Sequence, residues 1–340
     1  MGARVQNDKV SHSHKFIVTD LPQSMQAFSF SDTFAARRLP FVPNTLFLIG
    51  IMLLYPLAGA LLFSFVLEGH SLSHLDRQML PSIRLIQACG QILVLGMPVI
   101  LLAAWHMGKK NPFSLESLAF LGIRKDFNLG AAALAVGGIF LMQPLLYTIT
   151  ALQDVYLWPA LGAAGGEVVR QRDLMDSFIR ELALVRSVPE FISVTVVLAF
   201  TPAVCEELLF RGYIQQNYSV SISSGWAVLV TGCMFAFFHM SAANLVPLAL
   251  LGWYIGYIYS KTGNLAVPFC VHFVNNFAAL LLLLFTAGGN LPGQVQSEFL
   301  LKASWWWIIV GGSFFLFVMV VRRMSSDQFL TMDNGEAFKR

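Results

Sequence analysis

Long apolar runs separated by short polar segments dominate the chain from about residue 41 onward. A helix needs about 20 apolar residues to cross the hydrocarbon core of a bilayer. Runs of this kind predict transmembrane helices at residues 42–66, 85–107, 129–151, 188–210, 226–243, 245–260, 264–286 and 304–321. The fifth and sixth runs are short and separated only by Asn244, so one broken or re-entrant element is an alternative there. The expected fold class is all-α, a polytopic membrane helix bundle of about eight transmembrane helices.

The composition is that of a membrane protein. Of the 340 residues, 56% are hydrophobic and only 12% are charged, whereas roughly 25% of the residues are charged in soluble domains. The mean hydropathy is +0.65. The net charge of +3 is too small to indicate a nucleic-acid partner. We therefore expect the lipid bilayer to surround the fold, and we expect no nucleic acid among its partners.

Polar segments lie at both ends of the predicted bundle. Residues 1–40 form a polar N-terminal arm without the apolar stretch of a signal peptide. Residues 41–323 form the membrane bundle, and residues 324–340 form a polar C-terminal tail. If both termini are inside, the cytoplasmic loops carry about twice as many basic residues as the opposite loops, which is the usual bias. The prediction is an integral, multi-pass protein of the plasma (inner) membrane of a prokaryote, with cytoplasmic termini.

The longest connection between predicted spans covers residues 152–187. Its second half mixes charged residues with apolar residues at helical spacing, namely Val168, Leu174, Met175, Phe178, Ile179 and Leu182. This pattern predicts an amphipathic helix that lies in the membrane interface. The alternative is a solvated linker helix, because the same pattern occurs in helices that only cover a protein surface.

Three charged residues lie close together at the end of the fourth apolar run: Glu206, Glu207 and Arg211. A charge at that depth is costly, so it indicates a functional site. Glu207 and Arg211 have the i, i+4 spacing at which an acid and a base meet on one helix face, which predicts an ion pair. Adjacent residues point about 100° apart, so Glu206 faces elsewhere and is the candidate for proton transfer. Pro202 removes a backbone hydrogen bond and should loosen the helix before the site.

Two further apolar runs each contain a histidine that lies one helical turn from another residue of its motif. Phe235 precedes His239 by four residues, and His272 precedes Asn276 by four. Together with Glu206, these side chains supply the groups needed to hydrolyse an amide. Glu206, assisted by His239, can take a proton from water. His272 and Asn276 can donate hydrogen bonds to the oxyanion that forms on the scissile carbonyl.

Each of these clusters also has a structural interpretation. A single histidine on an apolar face is usually a hydrogen-bonded core residue, and a Glu–Arg pair can hold a membrane bundle together. An asparagine near a helix start is usually structural, and Asn275 beside Asn276 leaves the register open. Three polar clusters in three runs of one charge-poor chain nevertheless favour a shared site.

The motifs Glu206-Glu207-x-x-x-Arg211, Phe235-x-x-x-His239 and His272-x-x-x-Asn276 together resemble those of a known family. This is the CPBP family of CAAX proteases and bacteriocin-processing enzymes, also called the ABI family, which includes the type II CAAX prenyl endopeptidases. The resemblance covers residues 188–286, the expected protease core. It implies a glutamate-dependent intramembrane endopeptidase built as an eight-helix bundle.

The same resemblance implies a role for each matching residue. Glu206 would be the water-activating base, and His239 would be its partner. His272 and Asn276 would form the oxyanion hole. Glu207 and Arg211 would support the architecture of the site. The implied substrate is a protein or peptide in or at the membrane, and secreted peptides, bacteriocins and prenylated CAAX-type proteins all fit.

Three other mechanisms and one other class compete with this interpretation. Two histidines and two glutamates could bind zinc, but no H-E-x-x-H is present, and ligation would occupy the carboxylate that is needed as base. We expect a metal-free site without a cofactor. A serine mechanism lacks a nucleophile elbow, and an aspartyl mechanism lacks paired intramembrane aspartates. Intramembrane charges also mark proton relays in transporters, and a non-catalytic membrane adaptor is a further alternative.

Overall fold

A computed structural model of the protein describes residues 38–67, 77–286 and 293–326. Within these ranges the chain is helical and contains no β-strand, so the all-α fold class is confirmed. Nearly all of the polar arm and most of the C-terminal tail lie outside the described residues. The division of the chain into arm, bundle and tail therefore stays a prediction.

The helices of the described ranges follow the apolar runs and fill three of their connections. They are α1 (Phe41–Leu67), α2 (Arg77–His106), α3 (Leu115–Phe120), α4 (Leu129–Ala160), α5 (Gly162–Leu182), α6 (Val188–Ser221), α7 (Ser224–Phe238), α8 (Leu245–Thr262), α9 (Ala266–Thr286), α10 (Gly293–Lys302) and α11 (Ser304–Ser325).

Among these helices, six are long and apolar enough to cross a membrane: α1, α2, α4, α6, α9 and α11. They make the protein a polytopic helix bundle. The predicted fifth and sixth spans are two separate helices, α7 and α8, instead of one broken element. Because α7 has only 15 residues and α8 is not among the six, the predicted count of eight spans is not established.

Three helices contain a π turn directly before a proline. The turns are Gln91–Gly96, Gln153–Leu157 and Val196–Phe200, and the prolines that follow them are Pro98, Pro159 and Pro202. The ring of a proline clashes with the carbonyl four residues earlier. In each helix that carbonyl belongs to the π turn, whose wider backbone path leaves room for the ring. The loosening expected before Pro202 takes this form, and the helices continue through their prolines.

Helix α6 lies at the centre of the bundle, where it packs against α1, α2, α7, α8 and α9. On one side, its apolar residues join a core cluster that includes Leu48, Leu95 and Phe210. A second cluster, which includes Ile139 and Ile255, joins α4, α8, α9 and α11. The charged residues of α6 therefore lie between two packed apolar regions.

Helices α7 and α8 form an antiparallel hairpin that depends on two glycines. A Cβ on Gly252 would lie 3.0 Å from the Cα of Gly232, and a Cβ on Gly232 would lie 2.2 Å from the Trp253 side chain. The indole of Trp253 donates a hydrogen bond to the Leu229 carbonyl at 2.9 Å. Small residues let transmembrane backbones approach closely, and here they bring α8 against α7, the helix that His239 directly follows.

The amphipathic helix expected in the longest connection is present as α5, and it is docked against the bundle. Arg172 donates to Asp154 of α4 at 2.5 Å. At the other end, Arg84 of α2 donates to the Leu182 carbonyl at 3.0 Å. Burial raises the pKa of the Asp176 carboxyl above its ordinary value. The helix therefore packs on protein, unlike a solvated linker.

We expect Gly232→Ala to lower the free energy of unfolding by about 1–3 kcal/mol, the usual cost of overpacking. The added Cβ would lie 2.8 Å from the backbone nitrogen of Trp253, which a rotamer change cannot relieve. Gly225→Ala on the same helix is the matched control, because a Cβ there meets nothing within 4 Å. The free energy of unfolding of each variant is measured by SDS titration in mixed micelles, with circular dichroism as the signal. Equal stability of the two variants would contradict the close packing.

Candidate active site

Glu206 and Glu207 lie in the α-helical stretch Thr201–Glu207 of α6, between the π turns Val196–Phe200 and Leu208–Gln215. A π turn shifts the positions of the side chains that follow it, and such turns are frequent at functional sites. Both glutamates are buried, with 6% and 1% of their surface exposed. Their neighbours, however, are different.

The carboxylate of Glu207 holds two partners on one oxygen. Its Oε1 accepts a hydrogen bond from Arg211 Nη1 at 2.7 Å, which is the pair that the i, i+4 spacing predicts, and it lies 2.7 Å from His272 Nδ1. The guanidinium pairs with an ionised carboxylate, and an ionised carboxylate only accepts hydrogen bonds. His272 Nδ1 therefore carries a proton, and Nε2 is the ring nitrogen left to face the rest of the site.

Arg211 is wholly buried, and three contacts offset part of the cost of that burial, while its Nε has no hydrogen-bond partner among the described residues. In addition to Glu207, it donates from Nη2 to the Gly252 carbonyl at 3.0 Å. Its guanidinium carbon lies 4.8 Å from the centroid of the Phe235 ring, a favourable cation–π distance. A buried ion costs several kcal/mol unless its partners are well placed, so this arrangement fixes α6 relative to α7 and α8.

Glu206 lacks such partners. Its Oε2 makes no hydrogen bond to any of the described residues. The nearest basic atoms are His272 Nε2 at 3.8 Å and His239 Nε2 at 3.9 Å. Both distances exceed those of a direct hydrogen bond. One carboxylate oxygen of Glu206 thus lies near two imidazole nitrogens without binding either of them directly.

His239 directly follows α7, and the end of that helix fixes its ring. Nδ1 lies 2.8 Å from the carbonyl oxygen of Phe235. Because a carbonyl only accepts, Nδ1 is the donor, and Nε2 of the neutral ring is an acceptor that faces Glu206. The next residue, Met240, has a φ of 48°. This left-handed conformation costs about 1–2 kcal/mol for a residue other than glycine, and such strain is often found at functional sites.

His272 and Asn276 line the same cavity, and so does Asn275. Asn275 accepts a hydrogen bond from Gln143 of α4 at 3.1 Å, and its own amide nitrogen donates to Asn276 Oδ1 at 3.4 Å. Through this chain the oxygen of Asn276 acts as an acceptor. Its amide nitrogen remains a donor for another group.

A cavity of about 760 Å³ brings these side chains together. All four residues predicted to be catalytic line it, namely Glu206, His239, His272 and Asn276. Glu207 and Arg211 lie behind its wall, in contact with His272 and Phe235. A concave, mainly apolar pocket with a few convergent polar groups is the usual form of a ligand site. The three motifs therefore meet at one place.

Part of the cavity wall comes from α5, which the sequence pattern assigned to the membrane interface. Its apolar face supplies four lining residues, namely Met175, Phe178, Ile179 and Leu182. All four had been recognised as an apolar stripe at helical spacing. The pattern shows that a face is apolar but not whether lipid or protein covers it, so its place over the site could not be predicted.

The first two helices supply polar lining residues that the motifs do not include: Tyr55, Gln87 and Gln91. Gln87 donates to the Tyr55 hydroxyl at 3.4 Å. A signal for the two glutamines was present in the sequence, because they repeat the i, i+4 polar spacing inside an apolar run. Uncharged amides are more common in membrane helices than carboxylates, so their presence is a weaker indication of a functional site.

Glu206, His239 and His272 are also the residues that could approach a metal ion, since carboxylate oxygens and imidazole nitrogens are zinc ligands. Glu206 Oε2 lies 3.9 Å from His239 Nε2 and 3.8 Å from His272 Nε2. In the part of the chain that the structure describes, no group of three or more His, Cys, Asp or Glu side chains is arranged to hold a metal.

Comparison with known proteins gives a family for the centre of the chain. Residues 188–278 match the family described as Rce1-like, type II CAAX prenyl endopeptidase Rce1-like. This segment of the chain is Rce1-like. It covers α6, α7, α8 and part of α9, and it contains all three motifs, so the resemblance to CAAX proteases is confirmed there. Helices α1, α2 and α5, which supply much of the cavity wall, lie outside the match.

A relative of known sequence matches over a similar length. The uncharacterized protein YpbD of Bacillus subtilis (strain 168) is 31% identical over 90 residues, which are 26% of this chain. The chain spans 43% of the length of that relative. No solved structure matches the chain. The Rce1-like segment and the apolar helices together identify an integral, multi-pass membrane protein.

The two adjacent glutamates should differ sharply in their effect on stability. We expect Glu207→Gln to lower the free energy of unfolding by about 3–5 kcal/mol, because it leaves the Arg211 charge buried without its counter-charge. Glu206→Gln is the matched control and should change stability by less than about 1 kcal/mol, since Glu206 Oε2 has no hydrogen bond to any described residue that the substitution could remove. SDS titration in mixed micelles measures both. Equal losses would contradict the different neighbours of the two carboxylates.

Proposed function

We propose that the protein is an intramembrane, glutamate-dependent endopeptidase. One observation carries this proposal: in the Rce1-like segment, the unpaired carboxylate of Glu206 faces the Nε2 atoms of His239 and His272 inside a mainly apolar cavity. The class of reaction is the hydrolysis of a peptide bond. Glu206, His239, His272 and Asn276 are the proposed catalytic residues, and Glu207 and Arg211 support them.

The first chemical step is the activation of water by Glu206 and His239. The Nε2 atom of His239 is an acceptor because its Nδ1 donates to the Phe235 carbonyl. Two acceptors about 4 Å apart suit one water that donates a hydrogen bond of ordinary length to each, and Glu206 Oε2 lies 3.9 Å from His239 Nε2. The water oxygen attacks the scissile carbonyl carbon while one of its protons passes to Glu206.

The second step is stabilisation of the charge that develops on the carbonyl oxygen. The Nδ2 group of Asn276 can donate to it. The Nδ1 proton of His272 is held by Glu207, so His272 can donate from Nε2 only as an imidazolium. When the carbon–nitrogen bond breaks, the leaving amine takes the proton from Glu206, which regenerates the base.

The proposed substrate is a protein or peptide held in or at the membrane. Most of the cavity wall is apolar, including the face of α5 and the residues Ala279, Leu280 and Leu283 of α9. Such a wall can hold an apolar side chain or a lipid that is attached to the substrate. A prenylated CAAX-type substrate belongs to this class, and so does an unlipidated hydrophobic peptide.

Zinc-dependent hydrolysis is the second candidate, and one observation favours it. In many zinc sites a ligating histidine donates its other ring N–H to a carboxylate, and His272 Nδ1 lies 2.7 Å from Glu207. In that mechanism Glu206 would bind the metal and could not also act as the free base. The two mechanisms therefore predict opposite responses to a chelator.

We also propose that the protein lies in the plasma membrane of a prokaryote with both termini cytoplasmic. Several basic residues lie at the same end of the bundle. Arg38 donates to the Phe120 carbonyl, and Asn264 contacts the Arg124 carbonyl beside the loop that follows Lys261. Basic residues concentrate on the cytoplasmic side of membrane proteins, which makes this the inner end.

Cleavage by purified protein tests the proposal. The substrates are a fluorescent peptide that ends in S-farnesyl cysteine plus three residues, the same peptide without the lipid, and a hydrophobic membrane peptide. We expect cleavage of at least one of them in excess chelator, and a loss of kcat/KM of about 10²–10⁴-fold in Glu206→Gln. Glu116→Gln, which changes an exposed carboxylate paired with Lys109, is the control and should keep full activity.

The other outcomes separate the alternatives. Activity that disappears with chelator and returns with zinc would replace the metal-free mechanism by the zinc mechanism. Cleavage that survives unchanged in Glu206→Gln would exclude Glu206 as the base. Cleavage of none of the peptides would favour a non-catalytic role for this site in the membrane.

A further inference from the structure

The side of the cavity formed by α1 and α2 contains a polar cluster that the proposed reaction does not use. It consists of Tyr55, Gln87 and Gln91. The Tyr55 hydroxyl interacts with both glutamine side chains and lies within electrostatic reach of Glu206. Its ring stacks on Phe238 with centroids 5.3 Å apart, so Tyr55 is held in position. All three residues precede the Rce1-like segment in the chain.

Gln91 is the member of this cluster with unused hydrogen-bonding capacity. Its side chain lines the cavity while only 5% of the residue is exposed. Its Oε1 has no hydrogen-bond partner among the described residues. A buried acceptor without a partner destabilises the protein, and a ligand that donates to it removes that cost. The position is also the first residue of the π turn Gln91–Gly96, a kind of turn that is frequent at functional sites.

We propose that Gln91, positioned by Tyr55, is a substrate-binding residue whose Oε1 accepts a hydrogen bond from a main-chain N–H of the bound peptide. This inference rests on the proposed function, because it assigns the substrate main chain to the same cavity. The Rce1-like segment then supplies the reacting groups, and α2 supplies a polar contact that holds the peptide beside them.

The chemistry of the cavity favours a peptide main chain as the partner of Gln91. An extended peptide presents N–H groups that lose their water when it enters a mainly apolar cavity, and each of them then needs an acceptor. Glu206 and the two histidines are assigned to water and to the scissile carbonyl. Gln91 is an uncharged acceptor in the same cavity, so it can bind the main chain without competing for the catalytic proton.

The chain provides a closely matched control in Gln153. Gln153 is also the first residue of a π turn that precedes a proline, it is 7% exposed, and its Oε1 also lacks a partner among the described residues. It does not, however, line the cavity. A substitution at Gln153 therefore reproduces the change in a buried amide at a π turn without altering the proposed contact.

The experiment measures peptide binding separately from cleavage. Fluorescence anisotropy gives the Kd of the farnesylated and unlipidated peptides for Glu206→Gln protein in nanodiscs, alone or combined with Gln91→Met or Gln153→Met. We expect Gln91→Met to weaken binding about tenfold, as expected for the loss of one hydrogen bond to a buried group. Gln153→Met should leave the Kd unchanged. In the active background, Gln91→Met should raise KM more than it lowers kcat.

A second measurement begins with the protein in which Gln91 is intact, so its first result does not depend on the folding of a Gln91 variant. Peptides methylated at one main-chain nitrogen at a time are tested on the protein with Gln91 intact. We expect one methylated position to weaken binding about tenfold, and we expect that position to have no further effect when Gln91→Met is present. If no methylated position weakens binding, the proposal is wrong.

The remaining outcomes distinguish this inference from the proposed function. Equal Kd values with and without Gln91→Met, or equal weakening by Gln153→Met, would overturn the role of Gln91. The absence of binding of either peptide would overturn it as well. Gln91-dependent binding of a peptide that the wild-type protein does not cleave would support the binding residue and overturn the peptidase.

Discussion

The arrangement of the site depends on the buried carboxylate of Glu207. A fully buried arginine is stable only with a counter-charge, and Glu207 provides it for Arg211 while it also binds His272 at 2.7 Å. One oxygen atom thus ties α6 to α9, and Arg211 ties α6 to the carbonyl of Gly252 on α8. Because Glu207 neutralises Arg211 and binds His272, the adjacent Glu206 is not needed for either contact. Its carboxylate can then face the cavity with an oxygen that forms no hydrogen bond to any described residue.

The backbone of α6 allows the two glutamates to have different neighbours. Pro202 would ordinarily kink or break a helix at this depth, yet the π turn Val196–Phe200 absorbs the missing hydrogen bond and the helix continues. A second π turn follows directly after Glu207. The two carboxylates therefore lie on a short α-helical stretch between two π turns. The regular backbone of this stretch sets the directions of the two side chains, and the π turns on either side let the rest of α6 pack against several helices.

The sequence predicts the polar groups that meet in the cavity better than it predicts the walls around them. Charged residues and histidines in apolar runs are rare, and i, i+4 spacing determines which of them share a helix face, so Glu206, His239, His272 and Asn276 could be selected before the fold was known. The spacing carries no information about neighbouring helices. It therefore could not show that His272 binds Glu207, that the stripe of α5 covers the cavity, or that Gln91 lines it. The pairing of Glu207 with His272 also changes the expected chemistry. The proton on His272 Nδ1 is bound by Glu207, so it is not available to the scissile carbonyl oxygen.

The cavity is built from two parts of the chain, the Rce1-like segment and the helices outside it, and the residues of one part can change without a change in the other. The Rce1-like segment carries the carboxylates and histidines, whose positions are fixed by buried ion pairs and by the close contact of α7 with α8. The helices outside that segment provide an apolar wall and, in Tyr55 and Gln91, a polar one. A change in the apolar wall alters which side chain or lipid fits, whereas a change at Glu207 or Arg211 disturbs the bundle itself. Substrate choice can therefore differ between proteins that share the same three motifs, because most of the cavity wall, where we propose that the substrate binds, lies outside them.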